Sequence, residues 1–335
     1  AYFTAVASPF FGEAGVMVLI ASVFLFAFSL TGFIAGWFPL LDTFLEPERR
    51  TLFFSRMRFC HQLSGTVFLF LVGFVIGGNP PVWGLQLVLL AAAVIFTGRA
   101  AAISRIPVFE GRQNESAGFF SGLNTVVGNK PMAGFSLYFF LLNLTAFGTV
   151  PLMMLYLKNG LNAPDNVIVL ISACSLSGML FGYLCIGRLL KRIGMKHTFL
   201  LLHFIFFAVN GGLFLIGGRS MATYLLIAFF LLVYSFAAAA SSIVASAEMM
   251  KLASPGNKIM AMAFNGAFFY GGSGLSRFLT SLLLGSGMFA AEWQLGTTTV
   301  CRYRTFLLLY CAAILLAAPF LLLVPAVNSG KSNKP

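Results

Sequence analysis

One basic residue stands in the middle of a stretch that carries no other charge. Arg277 lies in NGAFFYGGSGLSRFLTSLLLG (265–285), and at helical spacing Gly266, Tyr270, Ser273, Arg277 and Thr280 share one stripe. A guanidinium beside hydroxyls suits hydrogen bonding to an anionic or hydroxyl-rich molecule. The same side chain is also long enough to carry its head to an aqueous boundary while its stem stays in an apolar layer. A second stripe, Tyr234, Ala238, Ser241, Ala245 and Glu248, is small and polar, and it fits either the wall of a cavity or close packing between helices. Glu248, at its end, is a candidate carrier of a proton or a partner for Lys251. Tyr138, Asn143 and Thr145 fall in a third run, but Asn143 and Thr145 are about 200° apart on a helix of 100° per residue. They cannot share a cavity, and Asn143 is the preferred hydrogen-bonding ligand. His61 opens a fourth run beside Gln62; its ring titrates near neutrality and is the other candidate for proton coupling.

The elements that must position these groups follow from composition. Of 335 residues, 59% are hydrophobic and 9% charged, with a mean hydropathy of +0.93. Soluble domains average about 25% charged residues, so this chain cannot cover itself in water. Its runs of about 20 apolar residues match helices that cross a hydrocarbon core, and the alternating pattern of barrel strands is missing. The class is an all-α polytopic membrane protein. The net charge of +12 is spread over short gaps between runs. A nucleic-acid binder gathers its basic residues on one watery surface, so the cations here are expected to set orientation and touch lipid headgroups. Five cysteines form no CxxC pair and have no histidine at ligand spacing, so neither disulfide, metal nor cofactor is expected. The opening AYFTAVASPFFGEA has no basic n-region and reads as the middle of a longer chain rather than a signal peptide.

About nine spans are expected, at 15–38, 60–78, 82–104, 132–157, 166–187, 197–217, 221–246, 259–286 and 304–325. The stretch 105–131, rich in Gly and Asn, reads as a linker, dividing 1–104 from 132–335. Alternate gaps hold 16 of the 21 basic residues on one side and four on the other, with Arg277 within a span. Positive charge accumulates on the cytoplasmic side. The beginning of the chain is therefore expected outside and its end in the cytoplasm, in a plasma membrane of the bacterial inner-membrane type.

One basic gap has more than charge. In GRLLKRIGMKHTF (187–199), Gly187 and Gly194 bracket Arg188, Lys191 and Arg192, and Lys196 follows. Glycine permits the turn, and cations suit the carbonyl end of the preceding helix. The pattern resembles the loop signature of the major facilitator superfamily, G-x-L-x-D-R-x-G-r-r/k, in the copy between helices eight and nine. FLEPERRTLFFSRMRF (44–59) is similar to that family's loop between helices four and five, with Pro47 and Arg50 in place. Two departures stand out: Lys191 occupies the family's acidic position, and no proline matches the fifth-helix motif of drug/proton antiporters. The resemblance implies helices four to twelve of the fold: three helices of one half, a central cytoplasmic linker and a complete six-helix half. It implies transport of a small solute by alternating access, with a proton or sodium ion as possible coupling partner, in a monomer without catalytic residues. The cavity would then be lined by Arg277, Tyr270, Ser273, Asn143, Tyr138, Tyr234 and Ser241, and Gly187, Arg188, Arg192, Gly194 and Lys196 would form a cytoplasmic gating loop. A lipid-modifying membrane enzyme, or a receptor or scaffold, is the alternative; no HxxxD, DxxD or HExxH arrangement favours the enzyme.

Overall fold

The computed structural model describes residues 1–44, 47–106, 118–253 and 257–323. The middle of the expected linker and the tail with Lys331 and Lys334 lie outside these residues, as do the Pro47 and Arg50 side chains. Among these described residues are eleven α-helices: α1 (Tyr2–Ala7), α2 (Gly15–Phe44), α3 (Pro47–Val75), α4 (Val82–Ile103), α5 (Phe119–Gly128), α6 (Lys130–Ala146), α7 (Thr149–Leu155), α8 (Asp165–Leu215), α9 (Met221–Leu252), α10 (Lys258–Gly285) and α11 (Arg302–Leu323). Among the described residues, seven helical stretches are long and apolar enough to cross a membrane. One of them, α8, contains two of the expected spans, because Gly194 (φ 73°, ψ 173°) breaks its helical geometry. Both limbs then meet α9: Ser175 reaches Ser235, and the Phe206 ring lies tilted against Tyr234, centroids 5.2 Å apart. The chain has therefore reversed at Gly194. Such angles are almost exclusive to glycine. α10 is long enough to cross as well, but Gly, Ser, Asn265 and Arg277 dilute its apolar character.

In lipid, helices gain little from hiding apolar surface from one another, so association rests on close contact of small residues. The first limb of α8 and α9 meet this way. A Cβ on Gly178 would lie 2.0 Å from the Leu232 carbonyl oxygen, and one on Gly182 would lie 2.7 Å from that of Phe236. Gly272 of α10 similarly rides on the Phe140 carbonyl of α6. Around these seams Phe135, Phe139, Phe199, Phe206 and Phe306 are fully buried. The structure adds two short strands to the all-α expectation. β1 (Glu292–Leu295) and β2 (Thr298–Cys301) pair antiparallel across Gly296 (φ 61°), a two-residue hairpin whose first turn position needs glycine.

Arg304, one of the four basic residues on the less basic side, is buried. Its Nε donates to the Phe214 carbonyl at 2.7 Å and Nη1 to the Thr299 carbonyl at 3.2 Å. It thus caps the end of α8 and fastens the hairpin to it. Arg304→Met is expected to leave both carbonyls without this partner, at about 1–3 kcal/mol. The check is the melting temperature in detergent, which should fall.

The end of the bundle bearing the hairpin is opposite the end bearing the Gly194 turn. At the latter, part of the expected linker proves to be helical. α5 packs on α10 and α6, and Asn257 Nδ2 donates to the Gly122 carbonyl at 2.8 Å. Asn129 Nδ2 donates to the Leu252 carbonyl at 2.9 Å while its Oδ1 caps α6 through the Met132 amide. Two amides thus hold a segment that its Gly and Asn content had marked as connection. Tyr2 of α1 fits between Phe26 of α2 and Phe96 of α4, and Arg99 lies over Phe33, 4.4 Å from its centroid. α3 packs along α8, with Gly73 against Leu170.

Candidate functional site

A break in one helix organises the polar interior. α6 ends at Ala146, and α7 restarts at Thr149 after Phe147 and Gly148. Pro151 explains the break, since it has no amide hydrogen for the carbonyl four residues earlier. The Ala146 carbonyl takes the Tyr234 hydroxyl at 2.6 Å and the Thr149 hydroxyl at 2.9 Å. Thr149 Oγ1 also lies 3.0 Å from Asn210 Oδ1, and Asn210 Nδ2 donates to the Phe206 carbonyl. On the other side, Tyr310 of α11 bonds Thr280 of α10, beside Ser276. A Cβ on Gly148 would fall 1.8 Å from the Tyr310 hydroxyl, so glycine is required for that approach. Six helices (α6 to α11) therefore bring hydroxyl and amide groups into one buried knot.

Not every group in the knot is satisfied. Asn143 is fully buried (0% exposed), and its Nδ2 donates to the Phe139 carbonyl on its own helix. That bond fixes the amide's orientation and leaves Oδ1 with no partner. Ser276 Oγ is buried beside the Tyr310 hydroxyl. Asn143 packs on Gly272, and Ser276 follows one helical turn further along α10. An unpaired buried acceptor costs about 1–3 kcal/mol, and a solute donating a hydrogen bond would relieve it.

The structure brings some of the expected residues together and separates others. Asn143 and Tyr234 belong to the knot. Thr145 bonds only its own helix. Ser241 is buried but returns its hydroxyl to Ala238, as close packing requires. The stripe on α10 is split lengthwise: Ser273 and Thr280 face inward, whereas Tyr270 and Arg277 are on the exposed side. The stripe spans about 80° of helix surface, and the burial boundary runs through it. Tyr138 stacks on His203 (centroids 5.8 Å apart) with its hydroxyl 3.4 Å from Nδ1, on a face of α6 turned away from Asn143. His203 is buried between these elements. Glu248 is buried with Lys251 at 3.9 Å, and His61 is exposed. In the basic turn Gly187, Arg188, Lys191 and Arg192 are exposed, and Lys196 is half-buried. Thr149, Asn210, Ser276 and Tyr310 had not been singled out. Asn210 and Tyr310 each interrupt a long apolar run, and that was the available signal.

The sequence matches no family model and no curated protein. The fold, however, is similar to that of solved transporters. A mutant of the nucleoside transporter NupG superposes with a TM-score of 0.68 at 18% identity, covering 97% of this chain and 81% of the other. A bacterial homologue of the iron transporter ferroportin, in its inward-facing state, gives 0.62 at 17%, covering 96% and 79%. A bacterial metal transporter gives 0.61 at 18%, covering 96% and 81%. The chain has the major facilitator fold. It is an integral membrane protein. At these identities the likeness is one of fold.

Proposed function

We propose that the chain carries a small, neutral, hydrogen-bonding solute across the membrane by alternating access. The knot around the α6–α7 break carries this reading, above all the buried and vacant Oδ1 of Asn143. Hydroxyls and amides suit a nucleoside- or sugar-sized molecule, and NupG is a nucleoside transporter. A transition metal such as iron favours imidazole, thiolate or carboxylate ligands, and no group of three or more His, Cys, Asp or Glu that could hold one occurs among the described residues. In this reading 1–104 and 132–335 are parts of two rocking units, with α5 belonging to the second. Ser273 flanks the solute path from the inward side of α10 and Tyr270 and Arg277 from its exposed side, and Tyr138 and Ser241 lie against it as packing. The Gly194 end faces the cytoplasm of a plasma membrane, as the distribution of Lys and Arg supports, and the protein acts as a monomer. His61 and Glu248 remain the candidates for a coupling proton.

The test is uptake into proteoliposomes of purified protein, with radiolabelled uridine, glucose and Mn2+ as separate probes. Saturable entry of uridine or glucose is expected. Entry of Mn2+ with both neutral probes at background overturns the substrate class, and background for all three overturns transport. Replacement at the turn should act on rate. Gly194→Ala forces a side chain into an almost glycine-only conformation, at about 1–3 kcal/mol. Uptake is expected to slow while the amount of protein in the membrane, read by surface labelling, stays unchanged.

A further inference from the structure

At the hairpin end, two turns from different parts of the chain are joined by main-chain hydrogen bonds. The Asp165 amide donates to the Gly78 carbonyl at 2.9 Å, and the Asn166 amide donates to the Gly77 carbonyl at 3.1 Å. These are the first two amides of α8, which no carbonyl within the helix can accept, and the positive end of the helix favours such acceptors. Both turns are preshaped. Gly77 adopts φ +74°, and Asn162, in the opposing turn, is the one described non-glycine residue with positive φ (49°). The Tyr156 and Leu157 carbonyls take the Leu161 and Ala163 amides, and Lys158 pairs with Asp165. Gly78 rests on Pro164 with room for ordinary contact. The contact joins the turn between α3 and α4 to the start of α8, on opposite sides of the expected linker.

We infer that this pair of main-chain hydrogen bonds is a latch that closes the hairpin end in the conformation described here and must open in the alternate one. The inference rests on the alternating-access reading. Chemistry makes the latch reversible: at a membrane surface, water replaces each partner when the turns separate, so each bond contributes a small net preference. Because main-chain atoms form it, side-chain substitutions around it leave it intact. Only removal of an amide hydrogen reaches it.

Proline does this without breaking the helix. Asp165 is the first residue of α8, a position proline favours, and the preceding Pro164 (ψ 147°) is already extended as a following proline requires. Asp165→Pro removes the amide hydrogen and the carboxylate together; Asp165→Asn removes only the charge paired with Lys158. The full chain, with exposed Cys60 and Cys185 replaced by serine, takes spin labels in V82C and M221C, at exposed positions near the hairpin end. Pulsed dipolar distances are then recorded in lipid nanodiscs, with circular dichroism confirming helix content. D165P is expected to raise the ratio of separated to latched molecules about threefold to tenfold, while D165N matches the parent. Equal distributions for D165P and the parent overturn the latch, and so does an equal shift in D165N, which would assign the contact to the ion pair. Uridine or glucose flux, measured on the same preparations, separates the two claims. Flux without a D165P response removes the latch alone, and a D165P response without flux removes the transport reading alone.

Discussion

Gly178→Ala is expected to be among the most destabilising single substitutions in this chain. Its new Cβ would lie 2.0 Å from the Leu232 carbonyl oxygen, 2.8 Å from the carbonyl carbon and 3.1 Å from Cα. All three are main-chain atoms of α9, so no rotamer change offers relief and the two helices must part. Overpacking usually costs about 1–3 kcal/mol, and a clash with main chain belongs at or above the upper end. Parting would also weaken the Ser175–Ser235 hydrogen bond, 2.7 Å long and buried between the same helices. Gly134→Ala is the matched control, because nothing lies within 4 Å of its Cβ position and alanine favours helix. Melting in detergent, read by intrinsic fluorescence and by recovery of monodisperse protein, should separate them widely. If G178A melts with G134A, the seam is not the close contact described.

The second large effect concerns transport. Asn143→Leu keeps size and helix but removes the vacant acceptor, so a solute hydroxyl or amide would meet a methyl group. Losing a hydrogen bond worth about 1.4 kcal/mol corresponds to about a tenfold fall in uptake of whichever neutral probe enters. A site whose buried polar groups are made for a solute can discriminate more strongly than that. Thr145→Val is the comparison, since that hydroxyl serves only carbonyls of its own helix, and its uptake should stay near the parent's. A folded N143L protein transporting at the parent's rate would remove Asn143 from the solute path.

Much of the fold was legible because lipid imposes a strong one-dimensional signal: long apolar runs separated by short basic gaps. The reversal at Gly194 could be read from two glycines bracketing cations. α5 was not, because its support comes from Asn257 and Asn129 reaching across to main-chain atoms of other elements; a contact across 135 residues leaves no local pattern. The hairpin escaped for a similar reason: Leu-Gly-Thr-Thr-Thr is short, and what fastens it is Arg304, which from its neighbours alone looks like an ordinary boundary cation. The polar interior was half legible. Helical spacing gave the α10 stripe but not which edge of it would be covered, since burial depends on where α6 and α11 come to rest. Asn143 stood out as a polar residue in an apolar run. Tyr310 and Asn210 had the same signal, but their value appears only once Gly148 lets Tyr310 approach and Thr149 turns towards Asn210.

The Arg304 fastening has a practical consequence. Trp293 Nε1 bonds Thr305 Oγ1 at 2.8 Å, and Val300 is buried beneath the strands, so the hairpin is soldered to the helices that surround it and should travel with them as one body. Most other connections in a protein like this are too short to grip. A nanobody raised against β1 and β2 would have a rigid epitope outside the lipid, large enough to serve as an alignment mark for single-particle imaging and placed to report every tilt of the bundle beneath it.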